Sequence, residues 1–317
     1  MKYPLLVSPR PVERVWGGTR IATTFGRTPP GGQPIGESWE IYGELPIRNG
    51  PLAGKSLDQA ARQLGTALLG TSCAPEDGFP LLTKWLDCNS WLSIQVHPDD
   101  RLARELTGDP AARGKTESWY FHRCEPGASY IHGLSSDVEG LDSYQGEKWL
   151  ELVNRVEAHQ GACCLTEAGT VHALGPGLLL YEIQQSSDLT YRLYDWGRVG
   201  LDGRPRQLHP VEARRSIRES RPQAHRGLPR DVIGRLEVLS AFFVVERLEG
   251  DLDWKADPSS FEILTTLDAA ARLKAGGVEV ELAPGGAAVI PASAGAVALR
   301  PGEGHCLRIR VPSYEEG

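Results

Sequence analysis

Long apolar runs are missing from this chain of 317 residues, and with them any segment that would cross a bilayer as a helix. The opening Met1-Lys2-Tyr3-Pro4-Leu5-Leu6-Val7 has too short an apolar stretch, broken too early by proline, to read as a signal peptide. Blocks of like charge are missing as well, and a formal net charge of -7 excludes the basic footprint of a nucleic-acid or anionic-membrane binder. Any anionic ligand must therefore meet a local basic pocket. The six cysteines (Cys73, Cys88, Cys124, Cys163, Cys164, Cys306) include no CxxC pair. A chain of this length needs no staples, so they are expected to be reduced thiols in a cytoplasmic protein. With 40% hydrophobic and 24% charged residues, wholesale disorder is excluded too.

What the chain does have is punctuation. Thirty-six glycines and 23 prolines separate many short apolar segments, the texture of a β-rich fold with helices as insertions. One helix is predicted to start at Ser56, where Ser56-Leu57-Asp58-Gln59 has capping-box spacing and Leu57, Ala60, Ala61, Leu64, Ala67 and Leu68 recur at helical intervals before Gly70. Others are expected over 99–106, 146–156 and 210–217. Strands are predicted at 92–96, 118–122, 178–183 and 190–194, each rich in aromatic or branched residues. The stretch 218–230 is basic, contains proline and lacks periodicity, so it reads as a connection. Seven further strand-like runs follow, from 242–248 to 306–311. The expectation is a catalytic domain over 1–225 and a smaller β domain over 226–317.

The chemistry concentrates in the first of these. In Leu92-Ser93-Ile94-Gln95-Val96-His97-Pro98-Asp99, strand alternation puts Ser93, Gln95 and His97 on one face. A satisfied core histidine would explain His97 alone, but two more segments argue otherwise. Gly114-Lys115-Thr116-Glu117 puts Lys115 and Glu117 on a common face when extended. Residues 161–172 read Gly-x5-Glu-x-Gly-x2-His, matching the second cupin motif at Gly169 and His172 but with Glu167 where that motif has proline. Gln95, His97, Glu117 and His172 together offer two imidazole nitrogens and two oxygens, a set that suits one divalent zinc ion with a position left open. Downstream, Asp188 and Arg192 flank the start of a strand. An arginine there can stabilise an enediolate or hold a phosphate, unless it merely pairs with Asp195. Lys84 lies in the apolar run Leu82-Thr83-Lys84-Trp85-Leu86, where an ammonium needs an anionic partner or must snorkel to water.

These residues resemble the type I mannose-6-phosphate isomerases. The resemblance is close over 92–99, 114–120, 168–174 and 182–192, and weaker in Trp16-Gly17-Gly18 and Gly36-Glu37-Ser38-Trp39. It implies two cupin-like jelly-roll domains in a mainly β fold with helical insertions, in the short bacterial form. It implies Gln95, His97, Glu117 and His172 as zinc ligands, and Ser93, Lys84 and Trp16 on the substrate, the first two at its phosphate. Arg192 would face the reacting end of the sugar, with Lys115 and Asp188 as acid/base participants. Residues 286–291 would form the turn of a second, non-catalytic repeat that has no histidine to offer a metal.

The activity so implied is zinc-dependent interconversion of mannose 6-phosphate and fructose 6-phosphate by proton transfer through a cis-enediol. The expected partner is a small hexose phosphate, not nucleic acid or membrane, and the expected state a monomer or weak homo-oligomer. Two other readings share the same residues: a different metal-dependent cupin enzyme, such as an oxygenase or another sugar isomerase, and a noncatalytic sugar-phosphate sensor.

Overall fold

The structure, a computed structural model, describes residues 2–135, 140–227, 229 and 231–313. It is mainly β, and the chain divides into two compact units: residues 11–38 with 84–222, and residues 1–10, 39–83 and 223–317. The last division falls close to the expected boundary at 225. The expected partition differs in two segments, since residues 1–10 and 39–83 group with the C-terminal residues rather than with the site-bearing ones.

The site-bearing unit holds two antiparallel sheets. A six-stranded sheet runs in the order Arg10–Gly18, Ile35–Ile41, Leu81–Cys88, Leu178–Gln185, Glu117–Cys124, Cys163–Thr166. A five-stranded sheet runs Tyr191–Tyr194, Ile94–Val96, His172–Leu174, Ser129–Leu134, Val153–Glu157. Trp16, Leu86, Trp119, Phe121, Leu174 and Leu180 form the core shared by the two sheets. The other face of the five-stranded sheet buries Val96, Ile131, Ala173 and Leu193 with Trp149 and Ala213.

The helix Asp100–Thr107 starts where expected, because Asp99 accepts the Leu102 amide at 2.7 Å and caps it. The helix Pro210–Glu219 opens on proline at its first position and extends two residues past the prediction. The helix expected over 146–156 is corrected. Gly146–Glu151 is a 3-10 helix, and Val153–Glu157 is a strand paired with Ser129–Leu134. Trp149 is buried, but the β-branched Val153 and Val156 find a sheet edge to join, which overrides the helical spacing of Trp149, Leu152 and Val153.

In the other unit, Ser56 and Gln59 form the predicted capping box of Leu57–Leu64, and the left-handed Gly65 separates this helix from Thr66–Leu69. A six-stranded and a four-stranded antiparallel sheet enclose an aliphatic core that includes Leu248, Leu264, Leu273, Val297 and Leu299. Ala287–Ile290 is a strand, as its apolar run predicted, and pairs with Glu262–Thr266, so the turn that the resemblance implied over 286–291 is largely strand. Among the described residues of this unit, four charged side chains, Glu246, Glu262, Arg308 and Arg310, are fully buried. Arg308 donates to Glu262 at 2.8 and 3.1 Å and to Glu246 at 2.9 Å, and Arg310 reaches Glu246 at 3.4 Å. No described helix is long and apolar enough to cross a membrane.

Candidate active site

Pairing register assembles the site from remote segments. His172 stands directly across from Gln95, and Arg192 directly across from Gln95 on its other side. Residues so opposed share a face, so these three form a row across the five-stranded sheet. His97 directly follows the strand Ile94–Val96, just before Pro98, and Glu117 begins the strand Glu117–Cys124. The glycine turn expected before His172 forms despite Glu167: Gly169 has φ +88°, and Thr170 donates to the Glu167 carbonyl at 3.1 Å. The weaker motifs also have a packing reason. A Cβ on Gly17 would lie 2.5 Å from the Gly36 backbone, so the two strands that carry Trp16 and Glu37 approach without side chains between them.

His97, Glu117 and His172 are buried, and their ligating atoms all lie within 4.8 Å of one another. Nδ1 of His97 donates to the Leu189 carbonyl at 2.9 Å and Nδ1 of His172 to the Thr170 carbonyl at 2.9 Å. Each ring is therefore the tautomer whose Nε2 carries a lone pair. The His97 Nε2 is buried with no hydrogen-bond partner among the described residues and lies 3.5 Å from Glu117 Oε2. The His172 Nε2 lies 3.2 Å from Glu117 Oε1 and 3.2 Å from the Gln95 amide nitrogen. A half-turn of the Gln95 amide presents its oxygen there instead, and Ser93 Oγ, now donating to that oxygen at 3.0 Å, accepts equally well. Burial, then Lys115, pushes His97 down to about 3, and burial lowers His172 too, so both rings stay neutral. Burial alone would raise the Glu117 carboxyl, but the Lys115 ammonium holds it well below the usual carboxylate range.

From this cluster an alternating chain of charge runs outward. Lys115 Nζ sits 2.7 Å from Glu117 and 3.8 Å from Glu182; Lys84 Nζ sits 2.9 Å from Glu182 and 3.8 Å from Glu37; Arg14 Nε donates to Glu37 at 2.8 Å. Lys84, only 4% exposed, does not snorkel. Burial opposes its charge, but Glu182 and then Glu37 hold the ammonium above the ordinary lysine range. Glu182 and Glu37 were not singled out from sequence, although the need for an anion beside Lys84 was readable. Burial, then Glu117, pushes Glu182 up against the pull of the two lysines.

Beside these groups opens a cavity of about 510 Å³. Trp16, Lys84, Ser93, Lys115, Asp188 and Arg192, the six expected substrate and catalytic residues, all line it, and so does Gln95. Asp188 is exposed there. Arg192 does not take Asp195, which is held by Arg198 and Arg206; the Arg192 Nε is buried with no hydrogen-bond partner among the described residues.

The chain also has close relatives. The family model for the type I phosphomannose isomerase catalytic domain matches residues 6–117. A probable mannose-6-phosphate isomerase of Bacillus subtilis, GmuF, is 40% identical over 222 residues, covering 67% of this chain and 68% of that one. The mannose-6-phosphate isomerase of Streptococcus mutans is 38% identical over 215 residues, or 66% of each chain. The crystal structure of the mannose 6-phosphate isomerase from Bacillus subtilis matches with a TM-score of 0.84 at 29% identity, over 97% of this chain and 99% of that one.

Proposed function

The chain belongs to the type I phosphomannose isomerase family, and on that premise we propose that it interconverts mannose 6-phosphate and fructose 6-phosphate with the help of one bound zinc ion. The observation that carries this reading is the convergence of His97, Glu117 and His172 beside the cavity that Gln95 and Lys115 line. These residues fit a metal. A buried imidazole nitrogen without a partner costs about 1–3 kcal/mol unless something accepts its lone pair, and an ion does so. Two imidazoles, a carboxylate and an amide oxygen form a donor set that favours zinc over the all-oxygen cations. Gln95, His97, Glu117 and His172 would hold it, and when bound it supplies Lewis acidity toward the sugar's oxygens.

The reaction moves one proton from C2 of the aldose to C1 and another from O2 to O1, through a cis-enediol. Negative charge grows on oxygen as the carbon-bound proton leaves. Arg192, whose Nε has no hydrogen-bond partner in the described residues, turns its fork of donors to that charge. Lys115 and Asp188 are the acid/base participants. Lys115, anchored by Glu117 at 2.7 Å, presents its remaining N–H groups to a sugar oxygen, and Asp188 on the wall of the cavity accepts the carbon-bound proton. Trp16 shapes the apolar side of the pocket. Ser93 and Lys84 serve the substrate indirectly, Ser93 by orienting Gln95 and Lys84 by fixing Glu182.

A coupled assay for fructose 6-phosphate, run before and after chelation and after zinc is restored, tests this reading. Activity should vanish with the metal and return with it, at about one ion per chain by elemental analysis. Full activity in metal-free protein would overturn the zinc assignment, and metal-replete protein that binds the sugar phosphate without turnover would overturn the isomerase.

A further inference from the structure

The substrate's phosphate is a dianion, and the cations first expected to meet it are already balanced. Arg14, Lys84 and Lys115 face Glu37, Glu182 and Glu117, three against three, in the chain of contacts described above. Each of these cations already gives a donor to a buried carboxylate. The opposite wall differs. Residues 188–206 carry four arginines against three aspartates, with no lysine or glutamate among them.

Two of those arginines, Arg192 and Arg206, line the cavity. Arg206 donates to both oxygens of Asp195, through Nε at 2.8 Å and Nη2 at 2.5 Å, and that same aspartate also takes Arg198 at 2.8 Å. One carboxylate therefore serves two guanidiniums, while Asp188 and Asp202 are the other acids on this side of the cavity. Like charges also meet: after burial, Arg206 is the strongest influence that makes the Arg192 cation unfavourable. The segment that delivers Arg206 is anchored at its start. Trp196 has φ +60°, unusual for a bulky residue, and is held there by its Nε1 bond to the Leu92 carbonyl at 2.7 Å and by ring contact with Trp91. The chain then doubles back through the Val199–Pro205 bridge, with Gly200 donating to Arg204 at 2.7 Å, and returns Arg206 to the wall of the cavity.

We propose that Arg206 is a specificity-determining residue that, beside Arg192, receives the phosphate of the substrate, with Asp195 holding its guanidinium in place. Lys84 then contributes to the site by positioning, not by phosphate contact. The proposal rests on the isomerase reading, and its test separates the two.

The test uses the zinc-loaded enzyme, with mannose 6-phosphate as substrate and inorganic phosphate as probe. Arg206→Gln should raise KM for mannose 6-phosphate and the inhibition constant of inorganic phosphate by about 10- to 100-fold, with a much smaller change in kcat. Inorganic phosphate should protect the wild type against thermal unfolding and fail to protect this variant. Arg206→Lys should recover part of both effects, and provides the measurement should the glutamine variant not fold. Arg198→Gln removes the other partner of Asp195 without touching the cavity, and should leave phosphate protection intact. Wild-type KM and protection in both Arg206 variants, or equal loss in Arg198→Gln, would overturn the proposal while leaving the isomerase standing. A wild type that never turns over mannose 6-phosphate would overturn the isomerase reading, and with it the phosphate assignment.

Discussion

The backbone carbonyl of His97 accepts the amide of Gly169 at 2.8 Å, so the segments that carry the two histidines are tied through main chain as well as through ring contact at 4.7 Å. The glycine makes that bond in a left-handed conformation, at φ +88°, where a Cβ would stand 3.1 Å from the Ser220 Cβ. Gly169→Ala should therefore cost on the order of 1–2 kcal/mol in backbone strain and re-aim His172. The expected outcome is a drop in bound metal that exceeds the drop in folded protein, checked by elemental analysis beside a circular-dichroism melt. Undiminished metal content would show that the turn does not set the ligand.

Lys84 and Glu182 give a double-mutant cycle. Each single change, Lys84→Met or Glu182→Gln, leaves a buried partner short of its counter-charge and should destabilise by about 3–5 kcal/mol. The double variant should lose clearly less than the sum. Urea titrations of the four proteins measure the coupling, and additive losses would mean that the pair contributes nothing as a pair.

Asp195 should govern part of the acid limb of stability. Burial would raise its carboxyl, but hydrogen bonds from Arg206 and Arg198 hold it below the ordinary aspartate range. A carboxyl depressed in the folded state stabilises above its unfolded pKa, and that contribution is lost as pH falls through the lower native value. Asp195→Asn should thus be destabilised at neutral pH and lose less on going to pH 3 than the wild type. Parallel curves for the two proteins between pH 6 and 3 would contradict the assignment.

How far the sequence led depends on whether a residue's role is set locally. His97, Glu117 and His172 were readable because each sits in a short segment whose own spacing fixes where it points. The seven strand-like runs read in the C-terminal residues each meet a strand for the same reason, as alternation and turns are local, but Arg235–Leu239 and Leu252–Lys255 were missed. Glu182 and Glu37 were not, because their significance is a partner more than 40 residues away, and only strand order brings Lys84 between them. Arg206 escaped notice because the loop before it has no period, and its aim comes from the positive φ at Trp196. The 146–156 segment misled because helical spacing of Trp149, Leu152 and Val153 says nothing of a neighbouring sheet edge waiting to be paired.

The buried charges of the C-terminal residues have a consequence for how that sheet comes together. Glu246 faces Arg308, and Glu262 faces Arg310, on three adjacent strands, with Trp254 Nε1 donating to Glu262 at 3.0 Å. Slide any one of these strands by a single position and its charge swings to the opposite face, stranding the guanidinium in hydrocarbon. An aliphatic interior alone would forgive many misalignments of similar energy. These four ions forgive none, and so act as a key that admits one alignment of the strands.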